Sequence, residues 1–432
     1  MEHLSTYIFE MFEDDFKLTP KEKKKLLELD LRYHELSDKF AKEQVHFMNV
    51  TNLEEESKRI QERIKDDTEF SINIKYEPSK FSDKDFCEDL SNKLYKLRDE
   101  FIDFDCFISK YYLEMIEKLM YCIEFFQEYS KNKKVHPKYL TKPPKHVYDA
   151  AVEMLKENKY VNPNTIDDKD FKHNVPTEES KKRLQKAIDK RKLNWEVKIR
   201  PNMVPRMSVR PYREFRISDI KLFSEVDLQS LEVHEVEVHT ARKHWGLQSG
   251  LFLFLYGLDG SNIYDEGVAI YNSLNKTKKI KPNIKFKIAI KIVMLYHYMN
   301  DMTPLEIFKY VKKLTGAPDK VIIYQLMRIA RVSNHTLMFQ NIANSDSMDK
   351  DYMIGYLLVK DMSEEERQEL IKYPIGPKQL SELENIKKFL KNNSLIKEHP
   401  PESIAVWKKY LIYGTALGVA DNVYKAMKLH EK

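Results

Sequence analysis

The chain has 432 residues, 33% of them charged and 42% hydrophobic, with 73 lysines and arginines against 68 aspartates and glutamates. A net charge of +5 over this length, with no basic stripe carrying interleaved aromatics, excludes a nucleic-acid binder. Cys87, Cys106 and Cys122 lack CxxC spacing, which excludes a disulfide framework, and no apolar run approaches the roughly 18 residues of a spanning helix. Met1-Glu-His-Leu opens the sequence without the basic and apolar regions of a signal peptide, so a soluble, cytoplasmic protein without a transmembrane segment is expected.

Three segments are expected: an N-terminal helical segment over 1–45, a catalytic domain over 46–360, and a linker with a helical tail over 361–432. Thr19-Pro20 sets a helix start, with leucines among charges behind it. A further helix opens at 49–60, and 70–76 alternates like a short strand. From 83 to 130, apolar residues at helical spacing predict a helical hairpin. Proline-marked connections flank a short helix over 148–158, and His136, His146 and His173 read as ordinary surface residues. Thr177 caps a helix through about 190.

Beyond 193 the period changes to two. Leu193 to Arg200 and Met207 to Ile217 alternate, with Pro201-Asn202 between them, so an antiparallel hairpin is expected. Pro211 would suit an edge strand, which beside a catalytic site can hold a peptide by main-chain pairing. The fold class is therefore mainly α with a small antiparallel sheet, an α+β protein.

The chemistry concentrates after a helix-start box at Ser224 to Asp227. His234-Glu235 is followed by His239, and further on by Tyr264-Asp265-Glu266-Gly267-Val268-Ala269. Two imidazoles and a carboxylate suit a catalytic Zn2+, with a glutamate after the first histidine as general base. The spacing is one residue longer than HExxH. Histidines at i and i+4 lie about 40° apart around an α-helix, but those at i and i+5 lie about 140° apart. One metal can take both only if the helix carries a local π-type turn. Glu232 and Glu237 are expected to face solvent or to support a ligand.

Glycine is absent before Gly246, yet five of the ten fall between Gly246 and Gly267, which predicts a tightly folded connection. Gly267 inside the Glu266 helix implies close packing, with the His234 helix as the expected partner. Helices are expected over 285–298, 304–314 and 320–330. Arg328 and Arg331 are candidates to clamp a substrate carboxylate, and Tyr352 to donate to an oxyanion. In the tail, a helix near 381–392 and an apolar helix over 402–428, with Gly414 and Gly418 four apart, suit docking on the catalytic domain or on a partner.

The segment from Trp195 through His239, with the later Asp265-Glu266-Gly267-Val268-Ala269, resembles the tyrosine carboxypeptidase family that removes the C-terminal tyrosine of tubulin. It repeats the HExxxH signature and approximates the (Q/E)EGLA signature, with Asp265 standing where Gln or Glu is usual. Lys350-Asp351-Tyr352-Met353-Ile354-Gly355 matches a further stretch loosely, and Arg331-Val332 stands where Arg-Gly is usual. The resemblance spans 46–360. It implies His234, His239 and Glu266 as zinc ligands and Glu235 as catalytic base, on a zincin-like core with the metal motif on a helix. The implied activity is a metallocarboxypeptidase removing a C-terminal residue, preferably aromatic, from a peptide or protein. A non-peptide amide substrate, or a helical interaction protein with a structural metal site, are the alternatives. Separately, 395–423 resembles the cytoplasmic tail of a prokaryotic membrane-associated family.

Overall fold

The structure is a computed structural model, and it describes residues 19–47, 50–104, 108–132, 142–201, 206–210, 213–219, 222–258, 260–331 and 350–372. It is mostly helical with one small sheet. Helix α1 (Pro20–Gln44) leads to α2 (Leu53–Lys65), then to the hairpin of α3 (Lys84–Phe104) and α4 (Ser109–Asn132). Leu90, Leu94, Leu97 and Phe101 recur every three or four residues, so α3 presents one apolar face to α1 and α4. Phe101 stacks on Tyr112 at 4.3 Å between ring centres.

The expected strand over 70–76 does not form. Its residues take no regular structure apart from Tyr76, which makes an isolated bridge to Val50. Asn52 takes up that segment instead, accepting from the Lys75 amide and donating to the Asn73 carbonyl.

Helices α5 (Lys145–Glu157) and α6 (Thr177–Lys190) precede the sheet of β1 (Glu196–Arg200), β2 (Met207–Arg210) and β3 (Glu214–Ser218). The sheet is mixed, where an antiparallel hairpin is expected from the sequence. Its order is β1-β3-β2, with β1 parallel to β3 and β2 antiparallel to β3. The reason lies in burial. Strand β3 hides Phe215, Ile217 and Ser218, so it takes the centre, while β1 and β2 show more surface and form the edges. Glu214 on β3 is gripped by Arg200, Arg216 and Lys198. Pro211 lies outside the described residues.

A continuous helical rod follows: α7 (Glu225–Leu231), a π-helix (Glu232–Thr240) and α8 (Ala241–Gln248). Then come the short α9 (Phe252–Tyr256), α10 (Ser261–Asn275), α11 (Ile284–Tyr298), α12 (Pro304–Thr315), α13 (Asp319–Ile329), α14 (Asp351–Val359) and α15 (Glu364–Lys372). The last lies where a linker is expected. The 381–392 and 402–428 helices, with Gly414 and Gly418, fall outside the described residues.

Three apolar clusters fill the protein. One joins α1, α3, α4 and α9, a second α2, α5 and α11 to α13, and a third α6, the sheet, the rod and α15. Helix α10 bridges two of them, giving Tyr264, Val268 and Ala269 to the third and Ile270 and Leu274 to the second. Asp30 ties the first cluster to α9. Its buried carboxylate accepts from the Phe252 and Leu253 amides and from the Tyr112 hydroxyl.

Candidate metal centre

The rod carries both histidines, and its start is explained by the sequence. Ser224 and Asp227 form the reciprocal cap of α7, each side chain accepting from the other's backbone amide. The helix then widens over Glu232–Thr240, the distortion that five-residue spacing requires. Hydrogen bonding from i to i+5 stacks His234 and His239 on one side of the rod.

Helix α10 brings Glu266 to the same place. His234 Nε2 lies 3.7 Å and His239 Nε2 3.6 Å from the Glu266 carboxylate, and the imidazole centres are 5.1 Å apart. One ligand atom from each of the three lies within 4.8 Å of the others. All are largely buried. The charge state matches such crowding. Burial lowers the His234 pKa, whereas at His239 the Glu266 carboxylate overcomes burial and lifts the imidazole to about 9. Glu235 sits beside the cluster, its carboxylate 3.9 Å from His234 Nε2.

Ser273, two turns beyond Glu266 on α10, was not legible as a site residue. Its hydroxyl donates to the Ala269 carbonyl at 2.9 Å and stands 3.2 Å from His234 Nδ1. With its proton engaged, the hydroxyl accepts from Nδ1–H, which leaves the Nε2 lone pair facing Glu266 and His239. Next to it Asn272, fully buried, donates to the Val233 carbonyl at 3.3 Å and so braces the widened helix.

The outer face of the π-helix is clamped as well. Arg183 on α6 binds Glu225 and Glu232, and Arg191 at the end of α6 binds Glu237. Glu232 and Glu237 are thus part-buried rather than free in solvent, and their ion pairs hold the rod against α6. His244 also stands apart, 2.8 Å from Gln248 Nε2 and beside Trp195.

Gly267 packs against a different helix from the one expected. A Cβ there would lie 2.4 Å from the Gly355 carbonyl on α14, and one on Gly355 would lie 2.0 Å from the Ile263 carbonyl. The two glycines let α10 and α14 touch backbone to backbone. Asp265 ion-pairs with buried Arg242 on α8 at 2.8 Å. Arg242 also donates to the Tyr256 carbonyl and the Ser261 hydroxyl, under Gly257, whose φ of 84° and lack of Cβ make room for it. The glycine-rich connection is thus folded around a guanidinium.

The other candidates lie elsewhere. The Tyr352 ring sits below Lys291 Nζ at 5.1 Å and packs into the second apolar cluster. Arg328 shares its surroundings with Lys281, Lys287 and Lys291, and Arg331 ends the segment after α13 with a buried Nε. None of the contacts described for the three ligand-type side chains involves them. His173 is exposed, as expected, and its Nε2 meets the buried Asp227 carboxylate at 3.0 Å.

Comparison with known proteins bears on the tail. A family model described as "predicted membrane protein (DUF2207) C-terminal domain" matches residues 371–427, a stretch that includes 395–423. It does not support assignment to the tyrosine carboxypeptidase family, and that assignment is withdrawn. It also points to membrane association rather than a purely cytoplasmic location, which corrects the second expectation. Among the described residues no helix is long and apolar enough to cross a membrane. No curated protein matches the chain.

Proposed function

We propose that the chain is a zinc-dependent amide hydrolase, with peptides as the first substrate class to test. The observation that carries this is the π-helix, which costs regular hydrogen bonding and brings His234 and His239 together opposite Glu266. The donor set fits zinc: two neutral-capable imidazoles, one oriented by Ser273, and a carboxylate. When bound there, the metal would supply Lewis acidity and bring the pKa of water to about 7.

Glu235 would take the proton of the attacking water and pass it to the leaving amine as the C–N bond breaks. Strand β2 is an edge of the sheet and lies against the π-helix, so a peptide could pair its main chain there in a zincin-like arrangement. Removal specifically of a C-terminal residue rested on the family resemblance and no longer has that support.

The test is a mass-spectrometric profile of a peptide library with the zinc-loaded, full-length protein. Glu235→Gln should keep zinc and lose about 10²- to 10⁴-fold in turnover. Stoichiometric zinc without cleavage would favour a structural metal site. Cleavage of non-peptide amides alone would shift the substrate class.

A further inference from the structure

Helix α10, which carries Glu266, is splinted along its length by α14 and α15. At its start, Asn262 Nδ2 donates to the buried Asp351 carboxylate at 2.7 Å. Ile263 and Gly267 then meet Gly355 backbone to backbone. Further along, the Arg367 guanidinium carbon lies 3.8 Å from the centre of the Tyr271 ring, and Lys276 pairs with Glu364 at 2.6 Å. Arg367 also donates to the Val359 carbonyl, which joins α15 to the end of α14.

Within that splint the glycine contact is the least forgiving. A Cβ on Gly355 would lie 2.0 Å from the Ile263 carbonyl oxygen, 2.8 Å from the Gly267 nitrogen and 2.9 Å from its Cα. All three are backbone atoms, so no side chain can swing aside. Restoring van der Waals separation, about 3.5 Å, requires α10 or α14 to move by about 1 Å. Both glycines sit inside helices, where alanine is the better helix former, so the close approach is kept against local preference.

The contact lies beside a ligand. Gly267 directly follows Glu266, and Asp265 directly precedes it. These two neighbours are anchored to different helices, Asp265 to Arg242 on α8 at 2.8 Å and Gly267 to Gly355 on α14. A shift of α10 at Gly267 therefore carries the Glu266 carboxylate with it. Metal bonds keep within about 0.2 Å of their preferred length, far less than that shift.

We propose that Gly355 is a positioning residue of the metal centre: by lacking a side chain it sets the depth at which α10 presents Glu266 to His234 and His239. The inference rests on the metal reading above and on no step of catalysis.

Metal affinity, not turnover, decides it. Full-length wild type and Gly355→Ala are titrated with Zn2+ against a chelator of known affinity, and with Co2+ while its visible absorption is recorded. Gly355→Ala should lose about 10- to 100-fold in zinc affinity, the range for loss of a supporting contact, and its bound Co2+ should show a changed spectrum. In a Glu266→Ala background the same substitution should change affinity less than about twofold, because the ligand it positions is gone. Leu326→Ala, which truncates a buried leucine of α13, should lower the melting temperature and spare zinc. If Gly355→Ala does not fold, Asn262→Ala decides instead. It breaks the Asp351 contact without adding volume, and should weaken zinc binding only while Glu266 is present. Unchanged affinity in the variant that is tested, equal losses with and without Glu266, or a matching loss in Leu326→Ala overturns the proposal and leaves the metal reading intact. A wild type that takes up neither ion removes the metal reading, and the proposal with it.

Discussion

Two charged clusters are built on the same rod, and they are completed differently. At its start, the buried Asp227 carboxylate meets Lys281 at 2.8 Å and Arg206 and His173 at 3.0 Å, and accepts from the Ser224 amide. One turn and more beyond, His234, His239 and Glu266 turn electron-pair donors toward one another. The first cluster brings its own partners, Lys281, Arg206 and His173, from three separate segments, and it fastens the connection before α6, the start of β2 and the entry to α11 to the head of the rod. The second brings ligand-type atoms and no paired lysine or arginine among the contacts described. A buried anion surrounded by side-chain cations is a structural joint, whereas converging lone pairs on a widened helix are a place for a cation from outside.

The sharpest way to break this contrast is at the metal. His239→Ala should abolish stoichiometric zinc, measured by elemental analysis of the purified protein. It should also remove the protection that zinc gives against unfolding, about 4 kcal/mol at a thousandfold excess over Kd. Full zinc in that variant would mean that the ligands are misassigned.

Asp227→Asn should act the other way, lowering stability and sparing zinc. Its three partners are partly exposed, so the loss should be about 1–3 kcal/mol rather than that of a fully buried pair. Denaturant titration measures it. If zinc is lost as well, the two clusters are one unit.

Acid separates them again. Burial alone would raise the Asp227 pKa, but Lys281 and then Arg206 outweigh it and hold the carboxyl at about 2. A folded pKa below the ordinary one contributes stability that is complete above about pH 4 and fades as the pH falls toward 2. At roughly 1.4 kcal/mol per pH unit, about 2 kcal/mol is at stake. The stability gap between wild type and Asp227→Asn should therefore narrow between about pH 5 and pH 2. A gap that stays constant over that range would show that the ion pairs contribute nothing.

The sequence exposed one cluster far better than the other, for a physical reason. Local periodicity tells which side of an element a residue occupies, so α3 and α4, the Ser224 cap and the need for a π-type turn between His234 and His239 could all be read. It does not tell which distant element fills the other side. The parallel partner of β1, the contact of Gly267 with Gly355 instead of the rod, the arginine clamps on Glu232 and Glu237, and the whole Asp227 joint depend on pairings across many residues. The family resemblance read from the motif did not survive comparison, although the geometry it led to stands on its own distances.

Ser273 gives the smallest effect and the finest test. Its hydroxyl holds the Nδ1 side of His234 while engaged with the Ala269 carbonyl, so its role is to fix which ring nitrogen carries the proton. Ser273→Ala leaves a buried Nδ1–H without that acceptor and frees the ring to turn or to change tautomer. Loss of such a supporting contact typically weakens metal affinity about 10- to 100-fold. Competition with a chelator of known affinity measures the change. Ser273→Thr keeps the hydroxyl and adds one methyl in a tightly packed place, so it should recover most of the affinity if the packing admits it. Stability should move little in either variant relative to Asp227→Asn. An unchanged zinc affinity in Ser273→Ala would mean that the rod alone, through its π-helix, sets the orientation of His234.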